Sequence, residues 1–116
     1  MKELPKSTKV VVIGGGVAGT SCAYHLAKFG WKDVILLERD QLTSGTTWHA
    51  AGLLGQLGAS STITKIRKYS LDLYKDLEKT TGLSTGMKQN GAITVASTKE
   101  RMQELLRQAT TAQLSD

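Results

Sequence analysis

The sequence predicts an α/β fold in which two parallel strands are joined by a helix, and three observations support this. An apolar, β-branched run at 10–13 is typical of a buried strand, which we predict over 9–13. A glycine-rich turn of sequence GGGVAG follows at 14–19, and a second apolar run at 34–37 ends at Glu38. A strand, a glycine turn, a helix and a second strand that ends in an acid form a Rossmann-type βαβ dinucleotide-binding unit.

Each position of the glycine turn has a separate role in this prediction. Gly14 permits the sharp turn out of the strand, Gly16 lets the backbone approach a pyrophosphate, and Gly19 lets the helix pack closely on the sheet. The amide groups of Val17 and Ala18 then face the phosphates from the positive end of the helix dipole. These five residues are therefore candidate nucleotide-binding residues.

Glu38 is placed to select the nucleotide. A carboxylate at the end of the second strand can accept hydrogen bonds from both ribose hydroxyls of an adenosine, and its charge would repel a 2′-phosphate. NADP is therefore disfavoured, while NAD stays open because the motif alone does not exclude it. A glycine-rich turn in an unrelated α/β protein is the alternative without a nucleotide.

The middle of the chain is predicted to hold a helix and a ligand-wrapping loop. The first helix runs from Val17 to Gly30, where glycine supplies the left-handed conformation that favours a helix end. Residues 40–61 are rich in glycine, threonine and alanine, with poor strand character and broken helical periodicity. We expect a loop there, with a short helix at 50–54.

Helical periodicity returns in the second half of the chain. A helix is predicted from Ser61 to just before Gly82, and a capping box at 97–100 predicts the start of a last helix. Between them, residues 92–96 alternate as a strand would. The predicted buried faces of the two helices carry these residues: Ile63, Ile66, Ser70, Leu73 and Leu77 on the first, and Met102, Leu105, Leu106 and Ala109 on the second.

Composition excludes several classes of function. The chain has 116 residues, 40% of them apolar, and a net charge of +5. Its positive residues are scattered; only Lys65, Arg67 and Lys68 cluster, without the aromatic platform of single-strand binders, so no nucleic-acid partner is expected. Two histidines and one cysteine at unrelated spacings provide no metal ligand set. No stretch is long and apolar enough to span a membrane.

Four segments together resemble the start of the dimethylglycine and sarcosine dehydrogenases, which are flavoproteins of the D-amino-acid-oxidase-like superfamily. The segments are 12–16, 24–28, 36–38 and 42–53. The likeness covers about residues 9–110, with further matches at 77–82 and 89–91. Its most specific part is the run SGTTWHAAG at 44–52, since the glycine motif alone would admit many unrelated proteins.

This resemblance implies FAD as cofactor and a set of residues that line it. In that family the histidine of the Trp-His-Ala-Ala-Gly motif, here His49, carries FAD through a covalent bond to the 8α-methyl of the flavin. Thr46 and Thr47 are implied as pyrophosphate or ribityl contacts, and Trp48 as a neighbour of the flavin or a core residue. The implied lining is Val17, Ala18, Glu38, Arg39, Gly45, Thr46, Thr47, Trp48, His49, Ala50, Ala51, Gly52 and Leu53.

The resemblance also implies a reaction, oxidative N-demethylation of dimethylglycine, sarcosine or a related N-methyl amino acid. A hydride equivalent would pass from the N-methyl carbon to flavin N5, and an electron-transfer flavoprotein or another acceptor would take the electrons. We expect residues 1–8 to be a polar lead-in and 9–116 to be the incomplete N-terminal part of a larger FAD-binding domain. Catalytic residues and any tetrahydrofolate site would then lie beyond residue 116, which would leave the chain alone inactive.

Two alternatives come from other classes of function. One is a non-catalytic subunit like the regulatory subunit of pyruvate dehydrogenase phosphatase, in which the Trp-His pair is replaced; Trp48 and His49 here favour the enzyme. The other is a different FAD-dependent oxidase, acting on glycine, another amine or glycerol 3-phosphate. The lead-in at 1–8 lacks an apolar signal region. We therefore expect a cytoplasmic protein, or a mitochondrial matrix protein after processing.

Overall fold

In the computed structural model of the protein, residues 5–114 are described. They form two compact units, residues 5–53 and residues 54–114. The first four residues of the predicted lead-in and the last two of the predicted domain lie outside the described residues.

The first unit contains the predicted strand–helix–strand arrangement. Strand β1 (Val10–Ile13) and strand β2 (Val34–Leu37) pair in parallel, with Val10 opposite Val34 and Ile13 opposite Leu37. Helix α1 (Val17–Lys28) connects the strands and contacts both of them. The crossover brings the glycine turn and the end of β2 to the same edge of the sheet, as the sequence predicts.

Helix α1 ends two residues before the predicted limit, and a left-handed glycine ends it, as predicted. Gly30 has φ +87°, and its N–H donates to the Ala27 carbonyl at 2.9 Å. The N–H of Trp31 donates to the Leu26 carbonyl at 3.0 Å. This pair of bonds is the Schellman motif, in which a left-handed glycine follows the last helical turn.

The short helix predicted at 50–54 is wrong in position. A single 3₁₀ turn occupies Thr46–His49 instead. Ala50 is already extended, with ψ 140°, and Gly52 has φ +70°, so the backbone cannot continue as a helix through 50–54. The loop therefore contains its helical turn before the Ala-Ala-Gly segment.

The second unit consists of helix α2 (Ser61–Thr81), helix α3 (Lys99–Gln113) and the segments beside them. Helix α2 has the predicted bounds. The Ser60 side chain accepts a hydrogen bond from the Ile63 N–H at 3.3 Å, and Gly82 ends the helix with φ +69°. Both ends therefore carry the caps that serine and glycine favour.

Two predictions in the second unit are wrong. Residues 92–96 form no strand, and Ile93 and Val95 are 95% and 82% exposed. A strand needs a hydrogen-bonded neighbour, and none of residues 5–114 pairs with this segment. The capping box is also displaced, because α3 is capped by Thr98, whose hydroxyl accepts from the Arg101 N–H at 3.2 Å.

The apolar faces predicted for the helices are only partly covered by the described part of the chain, with Leu73, Leu77 and Leu105 half-buried. Ile66 on α2 is 57% exposed and Leu106 on α3 is 58% exposed. Among residues 5–114 no apolar side chain is buried, and Thr64 is the one buried polar residue. No helix in this range combines the length and apolarity that crossing a membrane requires.

Candidate cofactor-binding site

The turn after β1 requires glycine at two of its positions. Gly14 has φ +100°, and its N–H donates to the Leu37 carbonyl at 2.8 Å, which joins the turn to the end of β2. A Cβ on Gly19 would lie 1.8 Å from the Gly14 carbonyl oxygen. Helix α1 can therefore approach the turn this closely only without a side chain at residue 19.

Glu38 lies beside this turn and is held by backbone amides. One carboxylate oxygen accepts from the Gly15 N–H at 2.6 Å, and the other accepts from the N–H groups of Arg39 at 2.7 Å and Asp40 at 3.1 Å. The bond from Gly15 lowers the pKa of Glu38 most, followed by those from Asp40 and Arg39. The carboxylate is thus held in its charged form at the edge of the sheet.

These bonds use most of the carboxylate's accepting capacity. An ionised carboxylate offers about four acceptor positions, and three of them meet backbone N–H groups here. About one position is left for a donor from outside the chain. Glu38 therefore has a structural role at the glycine turn that its sequence position alone did not indicate.

The start of helix α1 is capped by a residue from the loop. The Val17 N–H donates to the Thr47 hydroxyl oxygen at 2.9 Å. A Cβ on Gly16 would lie 2.9 Å from the same oxygen, so the absence of a side chain there lets Thr47 approach. The Val17 N–H, predicted to face phosphates, thus faces Thr47, whereas the Ala18 N–H has no hydrogen-bond partner among residues 5–114.

These elements surround a cavity of about 720 Å³ within the first unit, a volume typical of small-molecule sites. The structure brings eleven of the sixteen predicted site residues to its wall. They are Gly14, Gly16, Val17, Ala18, Gly19, Glu38, Arg39, Gly45, Thr46, Thr47 and Ala50. The wall also contains Ile13, Leu37, Asp40 and Ser44. The first two could have been predicted, because they are the last residues of the parallel strands.

Five predicted residues do not line this cavity: Trp48, His49, Ala51, Gly52 and Leu53. Trp48 and His49 lie in the 3₁₀ turn with Thr47, and both side chains are exposed. Leu53 is 89% exposed. Their contacts with a cofactor, and the covalent attachment at His49, remain predictions.

The described residues provide no metal centre. No group of three or more His, Cys, Asp or Glu side chains within residues 5–114 could hold a metal ion. The polar residues in the cavity wall are Ser44, Thr46 and Thr47 with their hydroxyls, the anchored Glu38, and the charged residues Arg39 and Asp40, beside the backbone amides of the glycine turn. This set suits the sugar and phosphate groups of a nucleotide.

The family of the chain follows from its similarity to known proteins. Residues 9–115 match the family model described as FAD dependent oxidoreductase. The chain therefore belongs to the FAD-dependent oxidoreductase family. The cavity wall that combines a glycine turn, Glu38 and Thr47 lies within the matched residues.

Three relatives indicate where in the family the chain lies. The 4-methylaminobutanoate oxidase (formaldehyde-forming) of Paenarthrobacter nicotinovorans is 47% identical over 103 residues, 89% of this chain. The mitochondrial sarcosine dehydrogenase of Homo sapiens is 47% identical over 107 residues, 91% of this chain. The mitochondrial pyruvate dehydrogenase phosphatase regulatory subunit of Mus musculus is 45% identical over 104 residues, 90% of this chain.

The matched region covers 12% of the length of each of these relatives. The resemblance to the sarcosine and dimethylglycine dehydrogenases is confirmed by this similarity.

Proposed function

We propose that the chain forms the adenosine and pyrophosphate end of the FAD site in an oxidoreductase that acts on N-methyl amino acids. The substrate would be dimethylglycine, sarcosine or a related N-methyl amino acid. The observation that carries the proposal is the meeting of the glycine turn, Glu38 and Thr47 around one cavity. When bound, FAD would supply an acceptor for the hydride equivalent from the N-methyl carbon.

The residues around the cavity divide the binding of FAD between them. Glu38 would accept a hydrogen bond from a ribose hydroxyl, with its carboxylate kept ionised by the amides of Gly15, Arg39 and Asp40. The Ala18 N–H would donate to the pyrophosphate. The Thr47 hydroxyl accepts from Val17 and keeps its own proton, so it would also donate to a phosphate oxygen.

His49 would hold the cofactor covalently, through a bond between an imidazole nitrogen and the 8α-methyl carbon. The support is the SGTTWHAAG run at 44–52 together with the position of His49 in the 3₁₀ turn, two residues after the anchored Thr47. The His49 side chain is exposed and therefore accessible for attachment.

A flavin-retention experiment tests this proposal. The protein is expressed from its complete coding sequence, denatured in acid and examined for flavin fluorescence on the polypeptide. We expect fluorescence from the wild type and none from His49→Ala. The chain has two histidines, so His25→Ala is the matched control and should keep the flavin. Complete release of flavin from the wild type would contradict covalent attachment.

The regulatory alternative has one observation in its favour, the 45% identity to a phosphatase regulatory subunit. Retention of Trp48 and His49 favours the enzyme. Mixing the protein anaerobically with sarcosine, dimethylglycine, glycine or 4-methylaminobutanoate distinguishes an enzyme from a regulatory subunit. An amine-oxidising enzyme would lose flavin absorbance with at least one of these amines. Glycerol 3-phosphate is mixed with the protein in the same way. Bleaching by glycine alone would favour a different amine oxidase, bleaching by glycerol 3-phosphate alone an enzyme that oxidises that compound, and no bleaching by any of them the regulatory subunit.

The proposal extends to partners and location. An electron-transfer flavoprotein or another acceptor would reoxidise the protein, and tetrahydrofolate would take the one-carbon unit if a binding region for it exists. The working location would be the cytoplasm or the mitochondrial matrix. Sarcosine-dependent reduction of added electron-transfer flavoprotein would test the first of these partners.

A further inference from the structure

The loop that carries Thr47 and His49 begins with a turn of unusual backbone conformation. In the turn 41–44, the Ser44 N–H and hydroxyl both donate to the Gln41 carbonyl, at 3.2 and 2.8 Å. Thr43, the third residue of this turn, has φ +68°. Type II turns need a positive φ at this position and favour glycine or asparagine there.

A β-branched residue is an outlier in the left-handed region. Among residues 5–114, Thr43 is the only residue other than glycine with a positive φ. Its side-chain hydroxyl makes no hydrogen bond within that range, so the surrounding backbone must hold the conformation. Strained backbone of this kind persists where neighbouring structure over-determines it, often beside functional sites.

The glycine turn supplies that support. The Thr43 N–H donates to the Gly15 carbonyl at 3.0 Å, while the Gly15 N–H donates to Glu38 at 2.6 Å. Both backbone polar groups of Gly15 are therefore engaged, one by the end of β2 and one by the loop. The Leu42 side chain also covers Gly15, because a Cβ there would lie 2.5 Å from Leu42 Cδ2.

We propose that Thr43 is a positioning residue, whose left-handed backbone and N–H bond to Gly15 fix the start of the His49 loop against the glycine turn. The Thr47–Val17 bond is the second anchor of this loop. Only residues 44–46 separate the two anchors, and His49 follows the second by two residues. The first anchor therefore limits where His49 can lie. This inference rests on the proposed function for its flavin readout but not for its backbone readout.

Substitutions at residue 43 separate the backbone from the side chain. Thr43→Gly keeps the N–H and accepts a positive φ, and Thr43→Val keeps the branched shape without the hydroxyl. Thr43→Pro removes the N–H and fixes φ near −65°. In protein made from the complete coding sequence, we expect Gly and Val variants to acquire acid-stable flavin at the wild-type rate. The proline variant should acquire it about tenfold more slowly or worse, because small misplacements strongly reduce reaction rates.

Hydrogen exchange of the apoprotein provides the independent readout. The Thr43 amide should be protected from exchange in the wild type. Glu38→Ala releases the Gly15 N–H, which should weaken the bond from Thr43 to the Gly15 carbonyl. In that variant the Thr43 amide should exchange about tenfold faster or more. Wild-type flavin loading by a folded Thr43→Pro variant would overturn the proposal. An unprotected Thr43 amide in the wild type would also overturn it, even if the proline variant does not fold. Absence of flavin from the wild type would instead count against the proposed function.

Discussion

The two units of the chain differ in how far apart in the sequence their hydrogen-bonded residues lie. In residues 5–53, hydrogen bonds join positions far apart in the chain, such as Gly15 to Glu38 and Val17 to Thr47, 23 and 30 residues apart. In residues 54–114, Glu78 binds the Thr85 N–H and Arg67 binds the Leu57 carbonyl, seven and ten residues apart. The first unit is therefore organised by tertiary contacts, and the second by helices and their caps.

This difference accounts for the place of the candidate cofactor-binding site in the first unit. The parallel strands bring the glycine turn, Glu38 and the Thr47 loop to the same edge of the sheet, so polar groups converge there. The helices of the second unit are amphipathic, yet their apolar faces are only partly covered within residues 5–114, with Ile66 57% exposed. Substitutions at the glycine turn should therefore affect stability and flavin binding together, whereas substitutions in the second unit should be local.

The largest effect is expected from Gly19→Ala. The added Cβ would lie 1.8 Å from the Gly14 carbonyl oxygen, so α1 must move away from the turn, at a cost of about 3 kcal/mol. Gly55→Ala in the second unit is the control, because Gly55 has no left-handed φ and no atom within 4 Å of its Cβ position. Urea unfolding should show a large loss for Gly19→Ala only. Equal losses for the two variants would remove the basis of the comparison.

The next effect is expected from Glu38→Gln and depends on pH. The pKa of Glu38 is lowered in the folded protein, first by the Gly15 N–H. Its stabilisation is therefore complete above the unfolded pKa and is lost as pH falls through the folded one. The stability advantage of wild type over Glu38→Gln should shrink from about pH 7 to about pH 3.

Urea midpoints for the two proteins across this pH range measure the effect. Asp72→Asn, which removes a surface carboxylate paired with Lys75 at 3.8 Å, is the control in the second unit and should show little change. A pH-independent difference between wild type and Glu38→Gln would refute the electrostatic role assigned to Glu38.

A smaller effect is expected at the cap of α3. Thr98→Ala should destabilise the helix by about 1 kcal/mol, because it removes the acceptor for the Arg101 N–H, while Ser97→Ala should do little. Hydrogen exchange at Arg101 measures the difference locally. A greater loss of helix stability from Ser97→Ala than from Thr98→Ala would instead support the capping box predicted at 97–100.

The smallest effect on stability is expected at Glu104, whose side chain is half-buried on α3. Its hydrogen bonds from Arg107, and then from Gln108, lower its pKa to about 2. NMR titration should therefore find Glu104 well below the ordinary value of 4.5. Arg107→Ala should raise the pKa towards that value, with little change in the unfolding midpoint because exposed ion pairs contribute weakly.

Much of the fold could be predicted because its signals are local. The apolar runs at 10–13 and 34–37, Gly30 after α1, and Ser60 and Gly82 at the ends of α2 each act on neighbouring backbone. The strand predicted at 92–96 was wrong because a strand also depends on a partner elsewhere in the chain. Alternation describes a strand's faces but does not provide the partner that its backbone must bond.

Most residues around the cavity could be predicted, but their contacts with one another could not. The glycine spacing and Glu38 predicted a nucleotide-binding edge of the sheet, and the SGTTWHAAG run predicted the loop beside it. The Thr47–Val17 bond and the three amides on Glu38 depend on distances across the folded unit, which sequence spacing does not encode. The positive φ of Thr43 was equally hidden, since threonine is not a residue that predicts it.

Peptide mapping is the decisive test of the proposal that a flavin is held at this edge of the sheet and bonded to His49. Tryptic digestion should produce the peptide 40–65, which contains His49 and no other histidine. Mass spectrometry of protein from the complete coding sequence should find a flavin adduct on that peptide, with fragmentation placing it on His49. An unmodified 40–65 peptide, from protein whose flavin is fully released by acid, would contradict the claim.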